Sequence, residues 1–290
     1  MALRALGAPL FLDDAGTPAP LGVEYAATAA DGTRVRITRL APALGTGLRD
    51  RDAFVDVLER YRYEGAGIAG DALYFVERPP EGEPLSARLA REGTIRPTAF
   101  FPIASSAAEA LAEYHRTHDA HGGLCPRTIY VRGDSEVLLR WGGVVPALIA
   151  AGAGLEAISE RLGLTGYLAP ELARSADFDV PSDIFALGAT FYAVTTGRPP
   201  FGGRTTAGVM ATVLTEDATT KTSPAQLLTT AVLRSVEQEP ADRWRDAHEF
   251  ARAIRGMPEP TAPATPRTGC LGAVTVISTL VVWGLTKYIT

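Results

Sequence analysis

Residues Thr165 to Phe201 read TGYLAPELARSADFDVPSDIFALGATFYAVTTGRPPF, and the reading of this stretch decides the fold. Pro181, Ser182 and Asp183 lead into Ile184, Phe185, Leu187, Ala189, Phe191, Tyr192 and Val194. A run that is apolar on nearly every face belongs to a helix buried in the centre of a domain. Ser182 is its expected N-cap. Gly197 ends it, and Pro199 and Pro200 cannot continue it. A buried helix with a Pro/Gly exit explains this much, but it does not explain the Ala169-Pro170-Glu171 tripeptide shortly upstream.

The order of these motifs resembles the protein kinase family. There an Ala-Pro-Glu closes the activation segment, a Ser-Asp opens a long buried helix running through Leu-Gly, and a Thr-Gly-x-Pro-Pro-Phe turn follows. Here these are Ala169, Pro170 and Glu171, Ser182 and Asp183, Leu187 and Gly188, and Thr196 to Phe201. Further on, Glu239-Pro-Ala-Asp-Arg243 is similar to the family's Asp-Pro-x-x-Arg, whose arginine pairs with the Ala-Pro-Glu glutamate. The resemblance therefore implies a buried Glu171–Arg243 ion pair. The similarity is to bacterial membrane-anchored Ser/Thr kinases, covers about residues 20 to 255, and is specific in the C-lobe and weak in the N-lobe.

What the resemblance implies is an α+β, two-lobed kinase-like fold. A small β-rich N-lobe would occupy residues 1–78 and a large helical C-lobe 79–256. The same family places a catalytic loop His-Arg-Asp-Leu-Lys-Pro-Glu-Asn-Ile here without a gap, against His121-Gly122-Gly123-Leu124-Cys125-Pro126-Arg127-Thr128-Ile129. His121, Leu124, Pro126 and Ile129 keep the scaffold. Gly123 stands for the catalytic base, Cys125 for the phosphate-facing lysine, and Thr128 for the metal-binding asparagine. Arg140-Trp141-Gly142 occupies the Asp-Phe-Gly place, so Arg140 replaces the magnesium-binding aspartate while Trp141 fills the apolar slot and Gly142 persists. No Asp occurs from Ser135 to Ala176, so no shift of alignment recovers it.

The N-terminal part departs in the same direction. Val23 to Ala29 and Arg34 to Leu40 read as strands about an Asp31-Gly32 hairpin turn. Gly16, Gly22 and Gly32 do not form a phosphate-covering loop, and Val35-Arg36-Ile37-Thr38 stands where the family has Val-Ala-Ile-Lys, which puts Thr38 in the lysine position. The only lysines in the chain are Lys221 and Lys287, so none is available in this region. Arg36 and Arg39 are expected to face solvent. Arg51 to Tyr61 reads as an amphipathic helix with Phe54, Val55, Leu58 and Tyr61 inward, and its Glu59, without a lysine to pair, is expected at the surface.

Between these regions, Ala72 to Val76 reads as a buried strand, Glu77 to Gly82 as the hinge, Pro84 to Arg91 as a helix, and Thr98 to Asp119 as a longer one with Phe101, Ala104, Ala108, Leu111, Ala112 and His115 inward. His115, His118 and His121 recur at a metal-like interval, but His121 belongs to the loop and no ligand set completes a site. Arg132-Gly133-Asp134 is a turn between strands. Arg140 has two readings, a phosphate contact or a salt bridge with a nearby glutamate, and the second is preferred. Gly143 to Leu162 is apolar enough to pack on the core, and Leu164 removes one more hydroxyl from the transfer site. Val209 to Leu214, Ala225 to Val236 and Ala247 to Ile254 complete the helices.

Composition bounds the rest. The chain has 290 residues, 46% of them hydrophobic and 21% charged, and a net charge of −5, which argues against a nucleic-acid surface. Cys125 and Cys270 imply no disulfide framework. The start of the chain carries no apolar leader. Residues 257–268 form a Pro/Ala/Thr linker, and 269–289 are apolar up to Lys287, near the about 20 residues a bilayer requires. The expectation is one C-terminal transmembrane helix over 269–289; with Arg252, Arg255 and Arg267 before it and Lys287 after it, the chain is expected to be single-pass in the inner membrane, with the kinase-like domain on the cytoplasmic side.

The functional expectation is a pseudokinase: a membrane-tethered scaffold or regulator that works by binding other proteins, among them an active kinase or a membrane signalling component. No cofactor is expected; ATP, if bound, binds weakly, and magnesium is not expected. The alternatives are an atypical active Ser/Thr kinase or ATP-binding protein, and an adaptor that binds no nucleotide.

Overall fold

The computed structural model describes residues 10–256 apart from 46, 62, 204 and 216–229. The first half of the fold is an antiparallel sheet. Strands β1 (Leu10–Leu12), β2 (Thr17–Ala19), β3 (Gly22–Ala29), β4 (Arg34–Leu40), β5 (Gly65–Ala69) and β6 (Ala72–Glu77) run in the order β1-β3-β4-β6-β5, with β2 beside β3. Alternation separates the faces, since successive side chains of a strand point to opposite sides. Val35 and Ile37 pack with Ala27, Tyr74 and Val76 on one face. Leu40, Leu73 and Phe75 pack on the other, under helix α2 (Arg51–Arg60), with α1 (Pro42–Gly45) a single turn beside it. Asp50 caps α2 by accepting from the Ala53 amide. Phe54, Val57 and Leu58 are the buried side of α2, while Val55 is partly buried and Glu59 is exposed.

The second half is helical around a small ribbon of β7 (Glu83–Pro84), β8 (Ile129–Arg132) and β9 (Glu136–Leu139). Helices α3 (Leu85–Glu92), α4 (Pro97–His115), α5 (Val144–Ala150), α6 (Leu155–Leu162), α7 (Val180–Thr196), α8 (Thr206–Thr215), α9 (Thr230–Ser235) and α10 (Ala247–Arg255) make up the rest, and the ribbon packs against α3 and α4. Every residue of α7 from Ser182 to Val194 is buried, as its all-round apolar sequence implies. Gly188 is required there: a Cβ at this position would lie 1.8 Å from the Ser235 hydroxyl of α9. Gly197, at φ +83°, closes the helix in the left-handed region.

Four local expectations are corrected. The N-cap of α7 is Asp179, not Ser182: the Asp179 carboxylate accepts from the Ser182 amide, and the Ser182 hydroxyl takes the Asp179 amide, a reciprocal capping box. The helix can start this early because Pro181 sits in the first turn, where no amide donor is needed. Helix α4 ends at His115 and not at Asp119, because the Thr117 hydroxyl and the His118 ring both engage the Tyr114 carbonyl. Its buried face is Phe100, Ile103, Ala104, Ala107, Ala108 and Leu111, turned from the expected set, so that Phe101 and Ala112 are only partly buried. Arg36 does not face solvent freely; it is half-buried against Glu24, whereas Arg39 is exposed.

Part of the expected Ala225–Val236 helix lies outside the described residues. So do the linker and the apolar segment 269–289. Among the described residues, no helix is long and apolar enough to cross a membrane.

Candidate functional site

The loop from His121 to Ile129 is hung from one buried carboxylate. Asp183 of α7, 1% exposed, accepts from the amides of His121 at 2.5 Å and Gly122 at 2.9 Å, and from His115 Nε2 at 2.9 Å. A buried charge is tolerable only when so surrounded by donors. His121 is fully buried and its Nδ1 accepts from the Gly123 amide. Burial lowers its pKa to about 4 against the pull of Asp183, and His115 and His118 add to the lowering. His121 is therefore a neutral part of the scaffold at ordinary pH.

The three substituted loop positions are turned inward. The Thr128 hydroxyl donates to the Gly123 carbonyl at 2.8 Å and accepts from the Cys125 amide at 3.0 Å, so it ties the loop to itself and offers nothing to a metal. Cys125 is 1% exposed, and burial pushes its thiol up, which keeps it uncharged. At Gly123 an added Cβ would lie 3.3 Å from Val145 of α5. At Gly122, φ +72°, it would lie 2.6 Å from Pro146. The segment after Gly142, expected to pack on the core, thus folds as α5 and α6 and occupies the space beside the loop.

Around Arg140 runs an alternating chain of charges. Arg36 donates to Glu24 Oε2 at 2.8 Å; Glu24 Oε1 accepts from Arg140 at 2.9 Å; Arg140 reaches Glu77 Oε1 at 2.6 Å. The Arg140 side chain is 6% exposed, and those of Glu24 and Glu77 are 11% and 12%. The preferred salt-bridge reading of Arg140 is what the structure contains. Burial opposes the charge on Arg140, but Glu77 and Glu24 more than restore it, and its pKa is raised. Burial pushes Glu77 up, opposed by Arg140.

Trp141 lies beneath the guanidinium, 4.4 Å from ring centroid to Cζ, and donates through Nε1 to Glu77 at 3.3 Å. It is the one non-glycine among the described residues with positive φ, at 64°, a conformation costing roughly 1–2 kcal/mol. Gly142 permits close packing, since a Cβ there would meet the Tyr114 hydroxyl at 2.4 Å. Thr38, paired across the sheet with Glu24 and Phe75, is fully buried, and its hydroxyl has no hydrogen-bond partner.

The motif residues around α7 assemble as the resemblance implies. Pro170–Ala173 forms a 3-10 turn that starts after Ala169 and presents Glu171 to Arg243 through two bonds of 2.7 and 2.8 Å. The remaining Arg243 donors reach the carbonyls of Glu237, Pro181 and Gln238. Sequence reasoning missed Glu24 and Glu77 as Arg140's partners. Their signal was weak: Glu24 is the one acidic residue in an otherwise uncharged strand, and Glu77 follows four buried strand residues. Among the described residues, no group of three His, Cys, Asp or Glu is placed to hold a metal.

This architecture is a protein kinase domain, and the chain belongs to that family: the profile of the protein kinase domain matches residues 54–251, more than half of the chain. The match begins within α2 and so leaves out the strand carrying Thr38. Among curated proteins, the chain is 28% identical over 203 residues to the serine/threonine-protein kinase PknB of Mycobacterium tuberculosis (strain ATCC 25618 / H37Rv), covering 67% of this chain and 32% of that protein. It is 28% identical over 195 residues to the serine/threonine-protein kinase PkaA of Streptomyces coelicolor, covering 66% and 35%. It is 29% identical over 187 residues to a probable serine/threonine-protein kinase PknB of Corynebacterium glutamicum, covering 61% and 29%. The chain spans about a third of the length of these relatives.

Proposed function

We propose that this kinase domain is a pseudokinase, a protein-binding regulator that does not transfer phosphate. The observation that carries the reading is the Arg36–Glu24–Arg140–Glu77 chain, which puts a buried cation where the family places a metal-binding carboxylate. Phosphoryl transfer is positioning plus charge neutralisation, supplied by a lysine on the phosphates, magnesium held by Asp and Asn, and an Asp orienting the acceptor. Thr38, Arg140, Thr128 and Gly123 stand in those places. Loss of a general base alone costs about 10²- to 10⁴-fold. Partners are proteins, an active kinase or a membrane signalling component, and ATP binding, if any, is weak and without magnesium. Attachment to the inner membrane through 269–289 belongs to the same proposal and rests on the apolar sequence of that segment.

A second reading is favoured by the relatives, whose names are those of serine/threonine-protein kinases: an atypical active Ser/Thr kinase. Incubating the full chain with labelled ATP, magnesium or manganese and a generic protein substrate decides between them. Incorporation at the level of a boiled control supports the pseudokinase. Incorporation well above it establishes the enzyme.

A further inference from the structure

Beside the charge chain, with Glu77 and Arg140 in its lining, a recess of about 350 Å³ opens. That volume lies within the range of small-ligand sites, which begins near about 300 Å³. Its walls are aromatic, with Tyr63, Tyr114, Tyr130 and Trp141 among them, and its lining comes from the sheet side, the hinge and the β9 end. The rings are held in place: the Tyr63 hydroxyl donates to the Gly142 carbonyl at 3.0 Å, and its ring sits edge-on to Phe75 at 5.2 Å.

The inner wall shows what chemistry these surfaces accept. Arg140's guanidinium lies over Trp141 at 4.4 Å and near Tyr130 at 5.8 Å, and is closed by the Glu77 carboxylate. A flat cation between aromatic faces and a carboxylate is a favourable arrangement, worth more as water is excluded. At the mouth stands a second carboxylate, Glu64, whose partner is Arg78 at 2.8 Å. The Arg78 side chain is 80% exposed, and exposed pairs contribute little. Arg78 can therefore leave Glu64 at small cost. With it withdrawn, the charges lining the recess are Glu64, Glu77 and Arg140, one negative in excess, which one incoming cation matches.

We propose that this recess binds a guanidinium-class cation, which takes Glu64 from Arg78 and lies against the tyrosine-lined wall. The source is a free aromatic amidine-like molecule or the arginine side chain of a partner protein; the recognising chemistry is the same. Because the lining comes from both halves of the domain, an occupant fixes the hinge against α4 and β9. The site stands whether or not the cleft transfers phosphate.

The test titrates the full chain with benzamidine, with benzamide as its neutral isostere, and with the amidated peptide Ala-Arg-Ala, following tryptophan fluorescence and melting temperature. Saturable binding of the cations is expected at millimolar or lower concentration, with benzamide weaker by about tenfold, the size of one charge-assisted hydrogen bond. Glu64→Gln should lose that margin, and Arg78→Ala should tighten binding several-fold. Both residues sit at the surface mouth, so both variants fold. A peptide that binds more tightly than benzamidine assigns the site to a partner's arginine; the reverse order assigns it to a free small cation. Equal affinity for benzamide, no loss in Glu64→Gln, or no saturation by either cation overturns the proposal.

Discussion

Arg140 and Glu24 lie 116 residues apart in sequence and meet at 2.9 Å in the interior, where the second oxygen of the same carboxylate also holds Arg36. Glu24 is thus clamped between two guanidinium groups, and Arg140 between two carboxylates. The cleft carries its own counter-charges and closes on them. That sets the energetics of every substitution made there.

Arg140→Ala should destabilise the domain strongly. It leaves Glu77 nearly buried without a cation and Glu24 with Arg36 alone, and breaking a buried pair costs about 3–5 kcal/mol. For a domain of this size, that corresponds to a fall in Tm of roughly 6–20 °C. Calorimetry of the variant checks it. A Tm within a degree or two of the parent would show that the chain of charges does not hold the two halves together.

Arg243→Ala should cost a similar amount, about 3–5 kcal/mol, because the guanidinium is fully enclosed and joins Glu171, Pro181, Glu237 and Gln238. Glu171→Gln should cost less, since Glu171 is 21% exposed and the amide keeps one acceptor. A double-mutant cycle between the two positions should give a coupling of about 1–3 kcal/mol. Additive effects would mean that Arg243 acts through the backbone carbonyls alone.

Much of this was legible in the sequence because it depends on spacing. The all-round apolar run of α7, the Glu171–Arg243 pair, the hairpin about Asp31-Gly32, and the inward packing of 143–162 are each written locally or by motif. The partners of Arg140 were not, because they are set by which face of β3 and β6 meets β9, and a one-residue shift of register would send Glu24 and Glu77 to the other side. The end of α4 was missed because side chains of Thr117 and His118, and no Gly or Pro, finish it. The N-cap of α7 lies three residues before Ser182 because the Asp179 carboxylate caps the helix and Pro181 is accommodated in its first turn.

His121 makes stability depend on pH. Its folded pKa of about 4 lies below the ordinary value of 6.5, so the unfolded chain binds the proton more readily. Stability is therefore complete above about pH 6.5 and is lost as pH falls toward 4, by up to about 3 kcal/mol. Chemical denaturation between pH 7 and 4 should show this slope in the parent chain and a shallower one in His121→Asn. Equal slopes would assign the acid sensitivity to other groups.

Removal of residues 258–290 should leave a folded, monodisperse domain, because the three hydrophobic clusters are built from residues up to Ile254. The full chain should sediment with membranes and the shortened one should not. A shortened chain that still partitions to membranes would place the attachment within residues 1–257.

Restoring the missing lysine alone should not restore an enzyme. Thr38 is fully buried and its hydroxyl is unpartnered, so Thr38→Lys puts a charge into a closed space. Glu59, the partner that the family resemblance implies for such a lysine, is exposed on α2. Arg36 and Arg140 repel the new ammonium, and Glu24 and Glu77 are already shared between them. The lysine would have to lose its charge or open the sheet, and the melting temperature should fall. The other deficits also remain: Val145 sits 3.3 Å from the Cβ position that a base at Gly123 would need, and the Thr128 hydroxyl is spent within its loop. Incorporation of labelled phosphate by Thr38→Lys should equal that of the parent chain. Transfer clearly above the parent, with magnesium present, would show that the cleft opens for nucleotide and that the lysine was its one essential loss.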